Sequence, residues 1–249
     1  MKITDAVSLI TIAVLLLSIC LRMRPKSGKT YAPLFWVQVS GVWMLGTSLS
    51  WIYPTLDAAL GGRNYLNLTS HLLFLGASWI YTVVLAEPFF RNRPKPPTLS
   101  NWVPIIAAIG ATGSFVLLDA DTTSRGLNAF TNEPAWIGYW VFNIMTLWAP
   151  AITLVPLLLG VVKETRIRSL IIVYWAMIIG YTTSVAAMLS YVVTYFYPGL
   201  IVAREILVLI TELGLMTALI AIPVLSHQKS AERSARQQAQ QEAAARFQR

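Results

Sequence analysis

Seven runs of predominantly apolar residues dominate this chain. Each is close to the length, about 20 residues, that a helix needs to cross the hydrocarbon of a bilayer. They are Thr4–Leu21, Pro33–Pro54, Leu66–Ala86, Trp102–Leu118, Trp136–Val161, Ser169–Tyr197 and Ile201–Leu225. Lipid offers the backbone no hydrogen-bond partners, so each run must satisfy its own N–H and C=O groups as a helix. A β-barrel is excluded by pattern, because the runs are continuously apolar and do not alternate. Composition agrees: 56% of the 249 residues are hydrophobic and 12% are charged, where a soluble domain carries about 25% charged residues. The predicted fold is all-α, a polytopic transmembrane bundle of seven helices. The fourth run is the shortest and is rich in Gly and Ala.

Lys and Arg in short loops set the orientation. One side holds Arg22, Arg24, Lys26 and Lys29 after the first run, Arg91, Arg93 and Lys95 after the third, and Lys163, Arg166 and Arg168 after the fifth. The C-terminal tail adds Lys229, Arg233, Arg236, Arg246 and Arg249. The other side keeps only Lys2, Arg63, Arg125 and Arg204, together with Asp5, Asp57, Asp119, Asp121, Glu133 and Glu205. The bias holds at every loop, and removing the fourth run would invert the later ones. The N-terminus is therefore expected outside and the C-terminus in the cytoplasm, in a multi-pass protein of the bacterial plasma membrane. The net charge of +8 follows from this orientation, so no nucleic-acid partner is expected.

The domain division predicted is 1–226 for the transmembrane bundle and 227–249 for a basic cytoplasmic tail. The tail is rich in Ala, Gln, Arg and Glu and lacks Pro and Gly, which favours helix. It is placed to meet anionic lipid or a cytoplasmic protein partner. No cleavable signal peptide is expected, since the first run lacks a longer basic n-region and an AxA-like site. Cys20 is the single cysteine and is expected to pack within the bundle.

Ionisable groups inside a bilayer are costly and normally face the bundle interior or a wet cavity. Glu212 sits near the middle of the seventh run. Its carboxyl is either neutralised by a proton, because leaving water disfavours the charged form, or paired. The hydroxyl cluster Tyr181, Thr182, Thr183 and Ser184 in the sixth run is the nearest set of partners by depth. Asn143 in the fifth run and His71 in the third lie farther outward, and Arg204 lies near the outer interface. Glu205 and Glu212 are seven residues apart and share a helix face. Pro150 and Pro156 each remove a backbone donor, so the fifth helix is expected to kink. Gly46 and Ser50 make the nearest small-xxx-small match, read as close packing.

Enzymatic readings lack their residues. None of the lysines lies in the seventh run, so a retinal Schiff base has no anchor there. No nucleophile elbow, HExxH pair or Walker loop occurs, and His71 and His227 are too isolated to suggest a metal site. No enzyme activity, cofactor or metal is expected.

The stretch YPTLDAALGGRNYLNLTSH, residues 53–71, resembles an actinobacterial family of seven-helix integral membrane proteins to which transport is ascribed. In that family an acid ends the second helix, a glycine and an asparagine follow, and a histidine comes seven residues after the asparagine. Here these positions are Asp57, Gly61 or Gly62, Asn64 and His71. The family's last helix closes with small and aliphatic residues before a proline, similar to ALIAIPVL here, with Pro223. Many members carry a further cytoplasmic domain where this chain has its basic tail. The resemblance implies a shared site at the outer end of the second and third helices, with Asp57, Asn64 and His71 close together.

Two functional expectations follow. The first is a non-enzymatic sensor or regulatory signalling module that couples the outer face to a cytoplasmic partner. An odd helix count and the lack of an internal repeat favour it over an inverted-repeat transporter. The second is a small-solute or proton-coupled transporter using Glu212. The ligand or proton-coupling candidates are Glu212, His71, Asp57, Asn64, Asn143, Tyr181, Arg204 and Glu205.

Overall fold

Long apolar runs without internal breakers close into helices, and the places where they break are set by hydroxyls, glycines and local hydrogen bonds. The computed structural model describes residues 3–22 and 32–219, which form helices and turns with no strand among the described residues. The helices are α1 (Ile3–Arg22), α2 (Ala32–Thr47), α3 (Tyr53–Ala59), α4 (Tyr65–Phe90), α5 (Trp102–Leu118), α6 (Pro134–Asn143), α7 (Met145–Glu164) and α8 (Arg168–Phe196). A ninth, α9, covers 201–219. By length and composition, α4, α7 and α8 are each long and apolar enough to cross a membrane. The tail 227–249, Pro223 and the loop cations Arg24, Lys26 and Lys29 lie outside the described residues.

Two runs expected as single helices are broken. The second run is helical only to Thr47. There the Thr47 hydroxyl donates to the Trp43 and Met44 carbonyls, at 2.9 and 3.1 Å, and Ser48 donates to Leu45 at 2.9 Å. Such side-chain bonds compete with helix propagation. After a turn, Pro54 sits in the first turn of α3, where its missing N–H costs nothing. The fifth run breaks at Ile144, with φ −95° and ψ 6°. Pro150 and Pro156 lie downstream of the break, inside α7. Beside the break, the Trp148 indole N–H donates to the Val141 carbonyl at 3.1 Å. Pro150 leaves the Thr146 carbonyl without its helical donor, and Thr82 of α4 supplies one at 3.3 Å. A neighbouring hydroxyl thus satisfies the carbonyl that the proline frees, which is how such prolines are tolerated in lipid.

Helix α4 is central, packed against α2, α5 and α7; α1 lies on α2, α5 on α6, and α7 on α8. Helices α8 and α9 approach at backbone distance. A Cβ on Gly214 would stand 2.8 Å from the Ala176 carbonyl oxygen and 3.0 Å from Gly180 Cα. This small-residue contact joins two different helices, so no spacing within one helix announces it. One half of the bundle is filled by an apolar core that includes Leu15, Tyr81, Leu147, Leu154, Met177 and Leu219. Cys20, expected to pack inside, is exposed. Arg91, Arg93, Lys95, Lys163, Arg166 and Arg168 are also exposed, as charged groups at the ends of apolar helices should be.

Candidate functional site

The antiparallel course of the helices brings four segments to one end of the bundle: the start of α1, the α2–α4 connection, the α5–α6 loop and the α8–α9 turn. Polar residues collect there in two neighbouring groups.

The first group is a clasp around Asp57 and Asn64, both fully buried. Asn64 adopts the left-handed conformation, φ 59°, which Asn tolerates better than most residues. Its backbone N–H donates to Asp57 Oδ2 at 3.1 Å, and the Leu66 N–H donates to Asp57 Oδ1 at 3.4 Å. Thr123, from the α5–α6 loop, donates its hydroxyl to Asp57 Oδ2 at 2.8 Å. The Asn64 carbonyl oxygen accepts from the Tyr53 hydroxyl at 2.9 Å and the Ser124 N–H at 2.7 Å, while its amide donates to the Thr122 carbonyl at 2.6 Å. Three of these bonds close the α2–α4 connection on itself, and the three to Thr122, Thr123 and Ser124 fix it to the α5–α6 loop. Asp5 makes a second tie, accepting from Ser50 and forming an ion pair with Arg125 at 3.1 Å.

The second group lines a cavity of about 910 Å³. Its walls come from α1 (Ser8, Thr11), the end of α2 (Met44, Thr47), the start of α4 (Asn67, Ser70, His71) and α9 (Arg204, Glu205, Glu212, Met216), with Trp140 and Tyr191 between. His71 Nδ1 lies 2.7 Å from the Asn67 carbonyl and 3.1 Å from the Tyr139 hydroxyl. A carbonyl only accepts, so this arrangement assigns the proton to Nδ1 and leaves Nε2 as the acceptor. The ring stands edge-on to Trp140, 4.8 Å between centroids. Trp140 in turn stacks on Tyr191 at 4.7 Å and 9°.

Arg204 is 4% exposed. Its guanidinium lies 5.2 Å from the Trp136 ring centroid and 5.1 Å from that of Tyr191. Nη2 donates to Asn128 Oδ1 at 3.1 Å, and Nη1 is buried without a hydrogen-bond partner. Among the described residues the ion pair found is Arg125–Asp5, so no carboxylate answers Arg204. Glu212 lines the cavity two turns further along α9. The hydroxyls expected beside it are engaged elsewhere. Tyr181 bonds Thr82 at 3.0 Å, Ser184 donates to its own helix at 2.7 Å, and Thr183 meets Thr211 at 2.9 Å.

Of the residues predicted from sequence, Glu212, His71, Arg204 and Glu205 therefore share one cavity. Asp57 and Asn64 belong to the clasp beside it. Asn143 is fully buried and donates to the Tyr139 carbonyl of its own helix at 2.9 Å. Tyr181 ties α8 to α4. The wall residues Trp140, Tyr191 and Asn128, and Trp136 and Tyr139 packed against them, were not anticipated. Trp136, Tyr139 and Trp140 recur at helical spacing, a signal for one face; Tyr191, far along the chain, had none. Among the described residues no group of three His, Cys, Asp or Glu side chains is placed to hold a metal. The arrangement can receive a small solute among aromatic faces, with a buried cation at one end and a carboxyl deeper in. No family model matches the chain, and no curated protein or solved structure is similar to it.

Proposed function

We propose that this chain is a seven-span integral membrane protein, N-terminus outside, that senses a small solute at its outer face and reports to a cytoplasmic partner through its basic tail. In this reading α1, α2, α4, α5, α6 with α7, α8 and α9 are the seven spans. The cavity lies at the end poor in Lys and Arg, which the positive-inside rule assigns to the outside. The observation that carries the reading is the lining of the cavity. The exposed Asn128 and Glu205 border it at this end of the bundle, and Met44, Leu45 and Met216 line it farther along. Beside that wall, Leu15 and Met216 crowd Gly41 so closely that an added Cβ would stand 3.3 Å from each. A cavity built at one end of the bundle suits a module that holds a ligand, whereas a transporter needs access from both sides.

Two experiments test this. Single cysteines at positions 95 and 163, in a chain with Cys20 replaced, should be labelled from the cytoplasmic side only; labelling from opposite sides overturns the topology. Deleting residues 228–249 should abolish the output in cells while leaving the bundle folded, and an unchanged output removes the sensor reading.

The second reading is a proton-coupled transporter. It is favoured by Glu212, a carboxyl that lines the cavity with no hydrogen bond from any described residue. Glu212→Gln should then abolish solute flux at unchanged expression, while the sensor reading requires the output to survive that change.

A further inference from the structure

The ligand class is written in the imbalance of charge around the cavity. Arg125 has its counter-ion in Asp5. Arg204 has none among the described residues, although it is 4% exposed and lines the cavity. A buried guanidinium without a carboxylate is expensive. Two aromatic faces offset part of that cost, since Trp136 and Tyr191 cover it at 5.2 and 5.1 Å. Its in-plane donors are served less well. Nη2 has the neutral Asn128 amide oxygen at 3.1 Å, and Nη1 has nothing. The Trp136 and Tyr191 centroids are themselves 5.4 Å apart, so both rings lie on one side of the guanidinium, and its Nη1–Nη2 fork has the geometry that matches a carboxylate.

The rest of the cavity narrows the class. Glu205 and Glu212 lie on the same helix, one and eight residues beyond Arg204, and both line the cavity. Neither gives a second carboxylate a cation to pair with, and the exposed Glu205 repels it. Met44, Leu45, Val208, Leu209, Leu213 and Met216 line the remaining wall, so the body of the ligand meets apolar side chains. We propose that the cavity binds an amphipathic organic monocarboxylate, with its single carboxylate on the Nη1–Nη2 fork of Arg204 and its uncharged body along α9 toward Glu212. This assignment rests on the outward-facing pocket proposed above. Asn128 sits on the exposed α5–α6 loop and holds Nη2 only by a neutral hydrogen bond. It can yield that nitrogen to the incoming anion in exchange for a charge-assisted bond, which is roughly twice as strong as a neutral one.

The test uses the full chain in lipid nanodiscs. The probes are hexanoate, benzoate, hexylammonium, hexanol and the dianion adipate, followed by tryptophan fluorescence, since Trp136 and Trp140 flank the site. Hexanoate or benzoate should give a saturable response, and adipate should be weaker. Arg204→Gln should lower the carboxylate affinity by about tenfold or more, as loss of a charge-assisted bond requires. Arg204→Lys, which keeps the charge and loses the fork, should lower it by less. Should Arg204→Gln fail to fold, Asn128→Ala decides. It removes a neutral competitor from an exposed loop, so carboxylate binding should tighten by a few-fold. The monocarboxylate assignment is overturned if neither hexanoate nor benzoate saturates, if Arg204→Gln folds and binds them unchanged, or if Asn128→Ala leaves their affinity unaltered or weaker. Should hexylammonium or hexanol saturate instead, and Ser70→Trp abolish that response by filling the cavity, the pocket stands and only the ligand class falls. Should no probe saturate, the pocket reading falls with it.

Discussion

Two polar groups lie side by side at one end of this bundle, and they are built on opposite plans. Around Asp57 and Asn64 each carboxylate and amide has partners, and all of those partners belong to the protein. Around Arg204, His71 and Glu212, donors and acceptors are left over. The difference separates structure from function better than polarity alone. A buried group satisfied from within is accounted for by folding, because ordering the loops is what its bonds achieve. A group left short has its unpaired cost to explain, and a ligand that completes it is the simplest explanation when a cavity adjoins it. Resemblance pointed to Asp57, Asn64 and His71 as site residues; of these His71 lines the cavity, and the geometry adds Arg204 and the face of α9.

The sharpest way to break this contrast is Asp57→Ala. It strands the buried Asn64 and Leu66 N–H groups, so the loss of stability should be at least about 2 kcal/mol, at roughly 1 kcal/mol or more per abandoned donor; the exposed Thr123 hydroxyl keeps the Gly62 carbonyl at 3.4 Å. Thermal unfolding in nanodiscs would measure it, and a fall of less than about 1 kcal/mol would show the clasp to be ornamental. Next in size is Gly214→Ala, which drives a methyl into the Ala176 carbonyl and Gly180; overpacking of this kind costs about 1–3 kcal/mol. That variant leaves both polar groups intact, so it calibrates how much a purely steric fault disturbs the cavity they surround. Thr82→Ala should cost less, about 0.6 kcal/mol, the average for hydroxyl bonds between membrane helices. It is best read as a difference in unfolding temperature from wild type.

The smallest effect is expected at Glu212. With no hydrogen bond from a described residue to lose, Glu212→Gln should change stability by no more than about 0.5 kcal/mol. A large loss would mean that folding depends on the cavity wall as much as on the clasp. The same variant puts an amide donor at the inner end of the cavity, where a second carboxylate can use it, so the preference for hexanoate over adipate should shrink. That second readout separates a role toward ligands from a role in packing.

Much of the architecture was legible in the chain itself. The third, fourth and sixth apolar runs end within a few residues of α4, α5 and α8, because helix ends in an apolar sequence are marked by the charges and prolines that flank it. The breaks at Thr47 and Ile144 were not legible. Both depend on local choices, a hydroxyl capturing a carbonyl or an indole reaching back over about two turns, that leave no periodic trace. Four of the eight candidate residues meet in one cavity. They could be named from sequence because a charge or an imidazole in an apolar run is rare enough to stand out.

Sequence alone therefore determined that this is a helical chain rich in membrane-length apolar runs, and which of its polar residues sit where they are expensive. Those are properties of composition along a line, and hydration cost is read directly from them. Only the tertiary structure decided which polar groups answer one another. Asp57 finds its hydroxyl partner 66 residues away in Thr123, and Arg204 finds its rings in Trp136 and Tyr191 on two other helices. Pairing across that separation depends on how helices pack. In this bundle, packing answers the acid of α3 completely and leaves the arginine of α9 with a donor to spare.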